Sequence, residues 1–199
     1  MAGLVLGVIA YLLYVAIKPG YRSEKPVDLL ASLTPSTDAF SGDWRVNDHV
    51  LISPDASHAR ITLNHSVPAA YRLEIEAVRH SGGRLVIGLV RNGRQIPIVL
   101  DAAVVAAGQP ADRGSLEAAN QLAAKVGFRG GLANTYTCIV HPAGLIVAFE
   151  NQIRVALLPH EPPPDGGNEW RSSDSNSFFI GTHFSVYHLP KITLTTIHP

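Results

Sequence analysis

Residues 71–78 alternate well. Tyr71, Leu73, Ile75 and Ala77 fall on one face, and Arg72, Glu74 and Glu76 on the other. A period of two marks a strand with one buried face and excludes an amphipathic helix, whose period is 3.6. From Ser41 onward the chain offers many such short runs between turn residues. Residues 44–46 and 50–52 flank Asn47-Asp48-His49, and residues 59–63 form a further apolar run. Residues 85–90 are apolar on both faces, as a central strand is. Asn92-Gly93 then separates them from residues 95–100. An Asn-Gly pair between two strand runs predicts a hairpin, because both turn positions favour positive φ. Pro97 inside the second run predicts an edge or bulge, since proline lacks the ladder donor.

Residues 104–107 read as a short strand. Residues 134–140, 145–149, 153–158, 178–181, 185–189 and 192–197 read as further strands. Leu116, Ala119, Leu122, Ala123 and Val126 fall at helical spacing. Ser115 and Gly127 are placed to cap a short helix over 115–126. About eleven or twelve strands with one short helix predict an all-β fold, a β-sandwich in one domain.

Residues 2–17 are uncharged and almost wholly apolar, and Lys18-Pro19-Gly20 ends the run. Counted from Met1, the 17 residues span ~25 Å as a helix, near the lower limit for a bilayer core of ~30 Å. No Lys or Arg precedes the run and no small-x-small site follows it, which disfavours a cleaved signal. The expectation is a single-pass transmembrane anchor over residues 1–18, contacting the lipid bilayer through residues 2–17. The alternatives are a cleaved signal, a core helix, or a chain with further residues upstream of Met1. Pro19, Gly20, Pro26 and Pro35 punctuate residues 19–40, read as a juxtamembrane linker, with one helical turn over 28–33. The sandwich domain is expected over residues 41–199.

Sixteen Lys and Arg balance sixteen Asp and Glu. Without a basic surplus, nucleic acid is not expected as a partner. The lone Cys138 permits neither an intramolecular disulfide nor a Cys-built metal site.

Three stretches carry a family resemblance. Gly42-Asp43-Trp44-Arg45-Val46-Asn47-Asp48-His49-Val50-Leu51 resembles the opening hairpin of concanavalin-like jelly-roll domains. Such domains include the laminin-G-like modules and the 3-keto-disaccharide hydrolase family. Pro68-Ala69-Ala70-Tyr71-Arg72-Leu73-Glu74-Ile75-Glu76 resembles their next strand, and Phe179-Ile180-Gly181-Thr182-His183 with residues 186–194 their closing strand pair. Gly108-Gln109-Pro110-Ala111-Asp112 is similar to a turn in planctomycete-type versions. Those versions often follow a membrane helix, sometimes behind a serine/threonine kinase. The resemblance covers residues 41–197 and implies fold more than function. His49 departs from it, where glycine is usual.

Orientation has two readings. Lys18, Arg22 and Lys25 follow the anchor, and by the positive-inside rule they put the domain in the cytoplasm. The resemblance implies an extracytoplasmic domain, and that placement is the expectation adopted.

For chemistry, Glu74 and Glu76 are two apart on a strand, so their carboxylates share a face. A retaining glycosidase needs two carboxyls ~5–5.5 Å apart. Jelly-roll glucanases carry a third carboxylate where this chain has Arg79, so a solvated strand face is the favoured reading and no catalytic residue is assigned. Nine His occur without H-x-H or H-x-x-x-H spacing, so neither a metal nor another cofactor is expected. Asp174-Ser175-Asn176 is the one oxygen-rich string suited to calcium, though such strings are more often plain polar loops. No G-x-S-x-G, G-x-G-x-x-G or Walker motif occurs. In the polar loop 159–177, Trp170 is the candidate sugar platform, with Asn168, Glu169, Arg171 and Asp174 as polar partners; burial is the commoner fate of a tryptophan. The leading expectation is a membrane-tethered, non-catalytic domain that binds a glycan or another extracytoplasmic ligand. The alternatives are a structural or protein-interaction module of a signalling protein, and a glycoside hydrolase using Glu74 and Glu76.

Overall fold

A computed structural model of the chain describes residues 22–100, 105–107, 131–157, 170 and 176–198. The fold is an all-β sandwich. Its early strands are β1 (Arg22–Ser23), β2 (Val27–Asp28), β3 (Ala39–Ser41), β4 (Arg45–Asn47), β5 (Val50–Ile52) and β6 (Ala59–Leu63), with one short helix, α1 (Pro35–Asp38). The central strands are β7 (Tyr71–Arg79), β8 (Arg84–Arg91), β9 (Arg94–Leu100) and β10 (Val105–Ala107). The rest are β11 (Ala133–His141), β12 (Gly144–Phe149), β13 (Gln152–Leu157), β14 (Phe178–His183) and β15 (Tyr187–His198). The larger sheet runs β13-β12-β11-β7-β15-β5-β4, and β1 and β2 also pair with β15. The smaller runs β10-β9-β8-β14-β6-β3.

The alternation in β7 does what its period requires. Tyr71, Leu73, Ile75 and Ala77 are all fully buried in the core between the sheets. Leu85, Ile87 and Leu89 of β8 meet them from the other sheet. Cys138 of β11 lies in the same core, and burial pushes its thiol up to about 12. Only the thiolate attacks a disulfide reagent. We expect no labelling of Cys138 at neutral pH in the native chain and complete labelling in denaturant. Fast native labelling would contradict this burial.

Three hairpins use two-residue turns with both central residues at positive φ: Asp48-His49, Asn92-Gly93 and Glu150-Asn151. That backbone twist matches the twist of the flanking strands. His49 sits at φ +63, which explains why glycine suits this position. His49→Gly is expected to stabilise the fold by about 0.5–1 kcal/mol, the left-handed strain relieved being partly offset by the freer unfolded chain. Urea denaturation checks it, and a loss of stability would refute it.

Three sequence expectations change. Residues 22–40 are no free linker. β1 and β2 pair with β15, and Leu29 and Leu30 enter the core. The prolines punctuate a strap that β15 holds down. The helical turn forms at Pro35–Asp38 rather than over 28–33. The two closing strands expected at the C-terminus are one, β15, with a register shift between His188 and Lys191 around Pro190. Pro97 pairs with Gly88 on one side and lies just past the last described pair of β10 on the other. The anchor and the helix over 115–126 fall outside the described residues. Among the described residues no helix is long and apolar enough to cross a membrane.

Candidate functional site

Strand register brings three polar segments to one end of the sandwich. Leu63, the last residue of β6, pairs with Phe178, the first of β14. Gly88 pairs with Phe179, so the tip of the β8–β9 hairpin reaches the residues just before β14. The loop after β6, the Asn92-Gly93 turn and Asn176-Ser177 therefore converge. Between them lies a cleft of about 570 Å³. His65, Ser66, Val67, Pro68 and Ala69 form one side, Val90, Asn92 and Gly93 another, and Asn176 and Ser177 the third.

The walls are held firmly. The Tyr71 hydroxyl donates to the Val90 carbonyl and accepts from the Val90 N–H, both at 2.9 Å. Its ring meets Phe178 edge-on at 5.0 Å. The Gln95 side-chain amide donates to the Ser177 carbonyl at 2.7 Å. Gly93 is at φ +69, and a Cβ there would lie 3.7 Å from Asn176 Oδ1. The turn and Asn176 are thus close neighbours.

Among the described residues the lining contains no Asp, Glu, Lys or Arg. Two carboxamides, two hydroxyls and one imidazole supply donors and acceptors, and Val67, Pro68, Ala69 and Val90 supply apolar surface. These are neutral hydrogen-bonding groups, and among the described lining residues no carboxylate pair stands with them.

The sequence-predicted residues lie elsewhere or nearby. Glu74 and Glu76 share the outer face of the larger sheet. Glu74 is flanked by Thr137 and Thr193, and Glu76 by Thr135 and Lys191. Arg72 Nε stands 3.8 Å from Glu74, a half-exposed ion pair. Arg79 is the last residue of β7, paired with Tyr187. None of these residues lines the cleft. Trp170 is only 2% exposed. Its ring lies parallel to Phe179 at 6.4 Å and in contact distance of Gly181, in a small cluster with Val86 and Val99. That ring is packed, so it is not an open platform for a sugar. Asn168, Glu169, Arg171 and Asp174 lie outside the described residues. Of the oxygen-rich string, Asn176 is described, and it lines the cleft. His58 and His183 have ring centroids 4.5 Å apart, and His80 and His188 3.9 Å. Among the described residues no group of three or more His, Cys, Asp or Glu is gathered for a metal.

The overall arrangement has close parallels. Carbohydrate-binding module CBM66 from Bacillus subtilis aligns with a TM-score of 0.55 at 9% identity, over 78% of this chain and 92% of that one. The exoplasmic/lumenal domain of VIP36, in its Ca2+/Man3GlcNAc-bound form, aligns at 0.56 and 10%, over 87% and 89%. A putative glycosyl hydrolase from Parabacteroides distasonis aligns at 0.53 and 10%, over 87% and 100%. The chain shares the β-sandwich fold of these structures. No protein-family model matches the chain, and no curated protein sequence matches it. Identity near one in ten carries the fold and leaves function to the site.

Sequence reading missed His65, Ser66, Asn92 and Ser177 as site residues. Asn92 was legible as a turn, but its meeting with Asn176 depends on the pairing of β8 with β14.

Proposed function

We propose that this domain is a non-catalytic glycan-binding module, tethered to a membrane by residues 2–17 and facing away from the cytoplasm. The observation that carries the binding role is the cleft, concave and rich in amide and hydroxyl groups, with no charged side chain among its described lining residues. Sugars present the same neutral donors and acceptors, so every polar group on both sides can be paired. The sandwich frames of a carbohydrate-binding module and of a mannoside-bound lumenal domain support the reading as fold analogy.

The test is a neutral polysaccharide and oligosaccharide panel titrated calorimetrically against the full chain in detergent. Saturable binding without released product is expected, weakened about tenfold by Asn176→Ala, as loss of one or two hydrogen bonds implies. Released sugar that vanishes in Glu74→Gln would replace this reading with hydrolysis on the sheet face. Silence across the panel from a folded sample would move the domain to protein interaction. A reporter fused after Pro199 that is active only in the cytoplasm would overturn the placement.

A further inference from the structure

We propose that the cleft selects an acetamido sugar, an N-acetylhexosamine at a chain end or short branch. This rests on the glycan-binding reading and narrows it. Among the described lining residues there is no aromatic ring on which a sugar face could stack. The apolar surface is instead aliphatic: Val67, Pro68 and Ala69 on one side, Val90 on the other. A plain hexose would set hydroxyls against that wall, and a desolvated hydroxyl without a partner is costly. An acetamido group sets a methyl there.

The same substituent brings an amide, one N–H donor and one carbonyl acceptor. Asn92 and Asn176 each carry a carboxamide, which is complementary to it in both senses. Aliphatic surface and carboxamides therefore line the same cleft, one for each half of the group. Acidic sugars are disfavoured by the same lining. Among the described residues it holds no Lys or Arg to pair a carboxylate, and an unpaired desolvated charge costs more than an unpaired hydroxyl. The volume of about 570 Å³ lies within the ~300–1,000 Å³ range of small-ligand sites, which suits a chain end. The Tyr71 clamp on Val90 fixes part of the wall beforehand, so less ordering is needed on binding.

The experiment titrates the full chain in detergent with N-acetylglucosamine and chitobiose, and in parallel with glucose, cellobiose and glucuronate. Acetamido sugars are expected to bind at least about tenfold more tightly, the discrimination one methyl-sized group gives a fitted pocket. Saturation-transfer NMR should place the strongest contact on the acetyl methyl protons. Val67→Ser should remove the preference while leaving weak glucose binding, and Asn176→Ala should weaken both series. Thermal melts of each variant confirm that it is folded. Equal affinity for glucose and N-acetylglucosamine would overturn the selectivity and leave neutral-glycan binding standing. Tighter glucuronate binding would also overturn it. No binding of any sugar would overturn both.

Discussion

Gly88→Ala is expected to lower stability by about 3 kcal/mol, the upper end of the cost of overpacking a filled core. Gly88 sits in the middle of β8 and pairs directly with Phe179. A Cβ there would lie 1.9 Å from Phe179 Cδ1 and 2.7 Å from its Cγ. The clash reaches from the ring edge back to Cγ, the root of the ring, so a small swing of the side chain cannot relieve it. Phe179 has little room to swing in any case. It is fully buried and parallel to Trp170, which itself occupies the slot over Gly181. Urea denaturation measures the loss. A cost below about 1 kcal/mol would mean that the outer layer of the smaller sheet is soft. The double variant Gly88→Ala/Phe179→Leu gives an independent reading, because neighbours that collide are non-additive. It should lose less than the sum of the two single changes.

Gly88 also shows why part of this fold was legible and part was not. The alternation in 71–78 needs only neighbouring residues and a sheet to lie on, so β7 could be read to within a residue of its end. Asn92-Gly93 is equally local, since its turn is set by two backbone angles. The glycines at 88 and 181 look like weaknesses in apolar strands until Phe179 and Trp170 are seen above them. Trp170 itself stands in a polar loop, and composition there suggests solvent. Its burial depends on an apolar outer face of the smaller sheet, built by Val86, Val99 and Phe179 from three strands. Leu29 and Leu30 were hidden among prolines in the same way, because β15, which holds them, comes at the far end of the chain. The cleft is the extreme case. Each of its segments reads as an ordinary turn or loop, and only the pairing of β6 and β8 with β14 makes them one site.

Tyr71→Phe is expected to cost about 2–4 kcal/mol, because one hydroxyl serves two buried backbone groups and each left unpaired costs about 1–3 kcal/mol. The phenol is fully buried, and burial keeps it protonated far above its ordinary range. It can therefore always donate to the Val90 carbonyl while accepting from the Val90 N–H. The substitution keeps the ring, so the edge-on contact with Phe178 survives and the loss isolates the hydroxyl. The contact crosses the sandwich from the larger sheet to the smaller. It ends on a residue that lines the cleft, which links core chemistry to the site. Two measurements follow. Denaturation gives the global loss, and a change under about 0.5 kcal/mol would show that Val90 finds another partner. Hydrogen exchange gives the local one: the Val90 amide should open more readily than the core amides of Leu73 and Ile75, beyond the shift that global destabilisation gives them. With that wall loosened, sugar affinity should fall even where the variant remains folded, since part of the ordering the clamp now supplies would have to be met on binding. Unchanged affinity beside a faster-exchanging Val90 would show that the wall orders itself around the ligand and that the clamp serves stability alone.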